Sequence, residues 1–373
     1  MNQEKNFGQA VGRLIRSEDL SREEAREYFR QILSDETTDM HQGAFLAALS
    51  AKGESAGEIA GSWEAIYELD TIKIEPRTDS PLVENCGTGM DSFKTFNIST
   101  AASIIAAAGG VTMARHGARA ITSVCGTLDI LERLGVDVEC DPQLVKKSIE
   151  EAGIGIFNGM SPRVHPRALG RILSQISFGT VLNTAASLAS PVLPRYGVRG
   201  VHSRDMVRPV AEVMREIGYR KALVVHGLAG DGVRGMDEAS TLGETFVAEL
   251  QEDGGITSWS FFPEELGIRR GIQEELAPLE NPEEEALRMI RLISGQDTGS
   301  RLDIACLNAG LILTLMNRTN DLRAGYLEAR EIVASGKALQ KLEQWVSVQN
   351  ENQAAGRDRL ESLIRRAGAG LPA

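Results

Sequence analysis

The chain has 373 residues, 42% of them hydrophobic and 25% charged, which is ordinary globular composition and enough for one large domain with a smaller one or for two of ordinary size. Its formal net charge of −12 at pH 7 argues against nucleic acid as a partner, because phosphate backbones are held by concentrated Lys and Arg, and the basic stretches 195–208 and 357–366 are short and interrupted. No apolar run approaches the roughly 20 residues that span a bilayer, and the first twenty residues lack a secretory layout, so a cytoplasmic protein with no membrane partner is expected.

Residues 7 to 72 read as helices. Ser21-Arg22-Glu23-Glu24 forms a capping box, and the helix it opens carries Ala25, Tyr28, Phe29 and Ile32 on one stripe. Stretches 41–52 and 55–67 follow with the same 3.6-residue period, separated by Gly53. Pro76 and Pro81 mark a linker. From Leu82 short apolar runs (82–83, 110–114, 155–158 and 222–226) alternate with helical stretches (101–108, 128–134, 142–151 and 207–217). That alternation predicts an α/β fold: a mostly parallel central sheet flanked by helices in the larger domain, 76–160 and 194–373, behind a small all-helical domain over 1–75. The stretch 161–193 is helical, then rich in Ser, Ala and Thr, and is expected to return to the N-terminal helices. Two helices at 303–317 and 323–347 close the fold, and the polar tail after Gln349 is expected to end frayed. Cys86, Cys125, Cys140 and Cys306 have neither metal-like nor redox-like spacing and read as buried thiols.

Three clusters carry chemistry. The segment from Glu84 to Thr100 runs from a strand through Gly87-Thr88-Gly89 into a helix starting near Ser99. The glycines admit a ligand to the backbone, and Ser99 and Thr100 set hydroxyls beside the open amides of a helix N-terminus, which suits an anion. Plain helix capping accounts for the same residues equally simply. Arg115-His116-Gly117-Ala118-Arg119 then follows a second strand and leads to Thr122, Ser123 and Thr127, repeating the order strand, basic loop, hydroxyl-rich helix start. In parallel sheets such loops gather on one rim. Finally His226-Gly227 precedes Asp237-Glu238, adjacent carboxylates of the kind that hold Mg²⁺ together with substrate phosphates and water.

Taken in order, the clusters resemble the anthranilate phosphoribosyltransferase family, with a more distant similarity to pyrimidine nucleoside phosphorylases. The likeness spans about residues 10 to 347 and includes Asp19 to Ala25, Ala51 to Ser55, Asp303 to Gly310 and Ala334 to Leu339. It implies a Mg²⁺-dependent transferase that moves the phosphoribosyl group of 5-phosphoribosyl-1-pyrophosphate (PRPP) to a small aromatic acceptor, and a homodimer. On that basis Gly87, Thr88, Gly89, Asp91, Ser92, Thr95, Asn97, Ser99, Thr100, Arg115 and Thr127 would bind PRPP, and Ser99, Asp237 and Glu238 would hold the metal. The catalytic candidates are His116, for positioning the acceptor or taking up its proton, and Arg115, which stands where the family carries lysine. Met90 replaces a usual glycine.

The acceptor half departs from the pattern. His116, Ala118, His165, Arg171 and Gln175 are its candidate residues. Ala118 stands where the family has asparagine, and Gln175 where it has the arginine that grips the acceptor carboxylate. Arg171, four residues earlier and on the same helical face, either replaces that arginine or is ordinary surface. Ser, Ala and Thr replace the family's Gly-Pro-Leu stretch before Pro191, and a glycine-rich insertion separates Gly227 from Gly235. An acceptor other than anthranilate, nucleoside phosphorolysis, and a non-catalytic binding homologue are the alternatives.

Overall fold

The computed structural model describes residues 2–89, 91–119, 125–176 and 178–369. Four helices open it: α1 (Asn2–Ile15), α2 (Arg22–Leu33), α3 (Asp39–Lys52) and α4 (Ala56–Asp70). The expected capping box is formed, with Glu24 N–H donating to Ser21 Oγ at 3.2 Å and Ser21 N–H to Glu24 at 2.8 Å. Ser55 and Glu58 repeat it at α4. Phe7, Phe29, Ile32 and Phe45 bury the shared stripe, with the Phe7 and Phe45 rings 5.3 Å apart.

The larger part is built on one sheet of β1 (Leu82–Gly87), β2 (Thr112–Gly117), β3 (Ile154–Asn158), β4 (Tyr196–Gly200), β5 (Lys221–Leu228), β6 (Gly235–Met236), β7 (Thr245–Leu250) and β8 (Ile256–Phe261). Its order is β3-β2-β1-β4-β5-β7-β8, with β6 paired to β5. Neighbours from β3 to β5 are parallel, and β6, β7 and β8 are antiparallel. Around it lie α5 (Ile98–Ala108), α6 (Thr127–Arg133), α7 (Pro142–Ala152), α8 (Leu169–Gln175), α9 (Leu182–Leu188), α10 (Val207–Glu216), α11 (Gln273–Leu276), α12 (Pro282–Ile293), α13 (Ser300–Leu315), α14 (Leu322–Ala334), α15 (Lys337–Val348) and α16 (Gln353–Ala367). The α/β class and the helical N-terminal domain are as the sequence predicts.

Stretch 161–193 packs on the N-terminal helices. Trp63 Nε1 of α4 donates to Leu188 O of α9 at 3.0 Å. Asp70, the last residue of α4, accepts the backbone N–H groups of Arg167, Ala168 and Leu169 at 2.5, 2.9 and 2.7 Å. It thereby caps α8, whose own N-cap, Ala168, has no side-chain acceptor.

Several sequence expectations need correction. The single helix over 323–347 is two, α14 and α15, broken where Gly336 takes the left-handed φ of 74°. The tail is not merely polar: α16 buries Leu360, Leu363 and Ala367 in the core, while residues 370–373 lie outside the described residues. Strands β4, β6, β7 and β8 are not among the expected ones: β4 is glycine-rich, β6 spans only Gly235–Met236, and β8 is an edge strand whose middle four residues are exposed. Of the cysteines, Cys125, Cys140 and Cys306 are buried, and Cys86 is only partly so.

Candidate active site

A cleft of about 350 Å³ opens at the C-terminal ends of β1 and β2, and its lining includes Gly87, Asn97, Ser99, His116, Asp237 and Glu238. Two glycines make room for the carboxylates. A Cβ on Gly87 would lie 2.0 Å from Asp237 Oδ2, and one on Gly200 would lie 1.5 Å from the Asp237 backbone oxygen. The turn itself is held from both sides: Thr88 N–H donates to Gly200 O at 3.1 Å, and Gly89, with φ of 67°, donates its N–H to Asp237 Oδ2 at 2.8 Å. The glycine turn and the carboxylate pair therefore share one rim.

The loop after the turn is stitched to β6. Phe93 N–H donates to Gly235 O at 2.9 Å, Gly235 N–H donates to Ser92 Oγ at 3.0 Å, and the Arg234 guanidinium lies 5.4 Å over the Phe93 ring. Arg234 is fixed in turn by Asp231 at 2.6 Å. The glycine-rich insertion is thus the turn of a hairpin that ties the phosphate loop to the segment carrying Asp237.

Asn97 is the N-cap of α5 without a capping hydrogen bond from its side chain, which donates instead to Cys125 O at 3.3 Å. The Ile98 amide bonds Phe96 O at 2.7 Å, and the next amides, of Ser99 and Thr100, lie without an intrahelical acceptor at a helix start whose Asn97 and Ser99 line the cleft, an anion site by donors and dipole together. Arg115 lies beneath that helix start, donating to Asn85 O, Thr100 Oγ1 and Ser99 Oγ at 3.2, 3.2 and 3.4 Å. Burial lowers its pKa to about 10, a value that leaves it charged at neutral pH.

Glu238 is buried, and its Oε2 has no hydrogen-bond partner. Burial first, then the charges of Asp237 and Asp91, push its pKa well up. Asp91, paired with Lys94 at 3.0 Å, is raised to about 6 by burial and by Asp237. Three carboxylates gathered around an unpartnered oxygen fit a cation. Among the described residues there is no group of three His, Cys, Asp or Glu side chains that could by itself hold a metal ion.

His116 and His165 meet edge to face, with their Nε2 atoms 3.3 Å apart. His165 Nδ1 contacts Asp70 O at 2.7 Å, and His116 Nδ1 faces Ser187 O at 3.4 Å. Burial, then His165, lowers His116 to about 3. Such an imidazole stays neutral and is a poor proton acceptor at neutral pH, so of the two roles expected for it the structure favours positioning. Gly159 permits the arrangement, since a Cβ there would lie 2.6 Å from His116 Nε2.

The expected site residues are only partly gathered. Gly87, Thr88, Gly89, Asp91, Thr95, Asn97, Ser99, Arg115, His116, Ala118, Thr127, Asp237 and Glu238 line the cleft. Thr100 is buried and spent on Arg115. Ser92 serves the hairpin, and His165 stands behind His116. Gln175 is exposed at the end of α8 and does not line the cleft. Arg171 is held on the helical domain by Asp39 at 2.9 Å, Asp35 at 3.2 Å and Gln42 at 3.2 Å, so it does not replace an acceptor clamp. Met90, Thr122 and Ser123 lie outside the described residues. Sequence reading missed Gly200, whose only signal is its place at the end of an unrecognised strand. It also missed the role of Asn308 on α13, whose Oδ1 accepts Ala239 N–H at 2.9 Å and fixes the segment after Glu238.

Comparison with known proteins agrees with this geometry. The sequence matches the glycosyl transferase family a/b domain over residues 79–339 and that family's helical bundle domain over residues 9–69. It is 37% identical over 344 residues to anthranilate phosphoribosyltransferase of Methanococcoides burtonii, covering 91% of this chain and 94% of that one. With the enzyme of Methanothermobacter marburgensis it shares 38% over 335 residues, 88% of this chain and 94% of the relative. The crystal structure of anthranilate phosphoribosyltransferase from Thermus thermophilus superposes with a TM-score of 0.80 at 36% identity, covering 91% of this chain and 99% of that one. The Saccharomyces cerevisiae enzyme in complex with PRPP and Mg has the same fold, with a TM-score of 0.79 at 22% identity over 96% of this chain and 99% of the other. With both domains matched and relatives of this identity aligned over nearly their whole length, the chain belongs to the anthranilate phosphoribosyltransferase family.

Proposed function

We propose that this protein transfers the 5-phosphoribosyl group of PRPP to the nitrogen of a small aromatic acceptor, anthranilate or a related compound, with release of pyrophosphate. The observation that carries the reading is the Gly89 amide on Asp237, which brings the glycine turn, the α5 N-terminus and the carboxylate pair to one rim. In the reaction the bond from the ribose anomeric carbon to the pyrophosphate oxygen breaks, a carbon–nitrogen bond forms, and the proton lost by the amine passes to the departing pyrophosphate or to water. The α5 amides and the Gly87–Gly89 turn would orient phosphate oxygens, and Arg115 would add positive charge from below. Asp237 and Glu238, with Ser99 nearby, would hold Mg²⁺, which when bound neutralises charge on the leaving pyrophosphate. A free aromatic amine is already nucleophilic, so the neutral His116 need only position the acceptor. Met160, Leu173 and Ile176 on the other side of the cleft offer an apolar wall for an aromatic ring.

The test is incubation with Mg²⁺, PRPP and anthranilate, following loss of anthranilate fluorescence, beside calorimetry of PRPP with Mg²⁺. Turnover with micromolar PRPP binding is expected, and absence of PRPP binding would defeat the reading. By the same family likeness we propose a homodimer joined through the helical domain, to be checked by light scattering. Among the described residues no helix is long and apolar enough to cross a membrane, which is compatible with a cytoplasmic location.

A further inference from the structure

Arg199 on β4 is the buried charge that the phosphoribosyl chemistry leaves unused. It is 1% exposed, and its Nε and Nη1 have no hydrogen-bond partner. Its Nη2 donates to Ser187 Oγ of α9, whose own proton goes to the backbone carbonyls of Asn183 and Thr184 in the same helix. Ser187 lines the cleft on the acceptor side, and Cys86, directly opposite Arg199 in the β1–β4 register, lines it too. The guanidinium therefore lies one side chain behind the cleft wall, at a residue whose carbonyl faces His116.

No other cation serves that side. Every Lys and Arg of the chain is among the described residues. Arg119 is held by Asp129, Glu132 and Glu139 at 3.1, 3.0 and 2.8 Å. Lys94 is paired with Asp91, Arg115 lies under the phosphate side, and Arg171 is bound on the helical domain. The nearest counter-charge to Arg199 is Glu84, whose carboxylate bonds Tyr219 at 2.8 Å and whose Oε1 is unpartnered. Glu84 is raised to about 7 by burial, so at neutral pH it offsets only part of the arginine's charge.

We propose that Arg199, acting by its charge across the cleft wall at Ser187, is the positioning residue that selects an acceptor bearing an anionic group, a carboxylate next to the aromatic amine. This rests on the phosphoribosyl-transfer reading above and deepens it. A positive charge in a water-poor layer acts strongly on an anion one side chain away, whereas it gives little to an uncharged isostere. PRPP is itself highly anionic, so an acceptor carboxylate beside it needs such a counter-charge more than a carboxamide does.

The experiment measures kcat/KM for anthranilate and for anthranilamide at saturating PRPP and Mg²⁺, with pyrophosphate release as the readout. It compares the wild type with Arg199→Gln, Arg199→Lys and Glu84→Gln/Arg199→Gln. The wild type is expected to prefer anthranilate by at least ~10-fold. Arg199→Gln should bring that ratio near unity by raising the anthranilate KM, and Arg199→Lys should keep most of the preference. The double variant removes the buried carboxylate together with its counter-charge, so it keeps the test open if the single variant folds poorly. A purely structural Arg199 would lower stability while leaving the ratio unchanged, and an unchanged ratio in a folded variant overturns the proposal. A wild type that favours anthranilamide overturns it equally. PRPP calorimetry separates these outcomes from failure of the transferase reading, since Arg199 variants should bind PRPP as the wild type does.

Discussion

Substituting Gly200 with alanine probes the rim directly. The new Cβ would lie 1.5 Å from the Asp237 backbone oxygen and 2.4 Å from its carbonyl carbon, where ordinary contact begins at 3.4 Å. The obstacle is backbone on both sides, since Gly200 O also accepts Thr88 N–H, so no side-chain rotation relieves it. Residues 236–238 must move by roughly 2 Å, and misplacement of catalytic groups by about 1 Å already costs ~100-fold in rate. We expect kcat/KM to fall at least ~100-fold and PRPP affinity in Mg²⁺ to weaken, with overpacking destabilising the fold by about 1–3 kcal/mol. Gly43→Ala in α3, where a Cβ meets nothing within 4 Å, is the control and should leave activity intact while gaining up to ~1 kcal/mol in denaturant unfolding. Wild-type kcat/KM in folded Gly200→Ala protein would refute the claim that this glycine exists to seat Asp237.

The remaining expectations are narrower. Asp237→Asn should abolish Mg²⁺-dependent PRPP binding by calorimetry while its Oδ1 can still accept the Gly89 amide, with little change in melting temperature. Arg234→Ala removes the stack over Phe93 and the clip to Asp231, so the PRPP KM should rise several-fold at nearly constant kcat. Asp70→Ala leaves three buried-side N–H groups at the start of α8 without an acceptor, and urea unfolding should show a loss of about 3–5 kcal/mol. Glu84 has a folded pKa of about 7 against an ordinary value of 4.5, so the folded state keeps a proton that the unfolded state releases. That contribution is fully present below pH 4.5 and is lost as pH rises toward 7, on the order of 3 kcal/mol at ~1.4 kcal/mol per unit. His116 has the opposite sign, being depressed to about 3, so the difference between wild type and Glu84→Gln isolates the carboxylate. The variant should flatten the decline between pH 5 and 7, and parallel stability curves would exclude the assignment.

The phosphate side of the site was legible because each of its parts is local in sequence. A strand end, a glycine turn and a helix start fall within Glu84 to Thr100, and backbone amides do the binding, so side-chain identity matters little there. Parallel pairing then brings β1, β2 and β5 to one rim without further instruction. The acceptor side was not legible in the same way. Its walls come from α8, α9 and β2, which meet only in the folded chain, and helical spacing alone put Arg171 beside Gln175 although three polar groups of the helical domain hold Arg171 elsewhere. Arg199 escaped notice because its strand, Tyr196-Gly197-Val198-Arg199-Gly200, lacks the apolar alternation by which strands are recognised. A buried arginine in so short a strand is costly unless something answers its charge. Glu84 answers part of it, and two guanidinium nitrogens remain without a partner beside a cleft that is built for anions along its opposite wall. On the proposal above, the sequence difference that looked like a loss at Gln175 is a relocation: positive charge has left the helix and stands in the sheet, behind the cleft wall at Ser187.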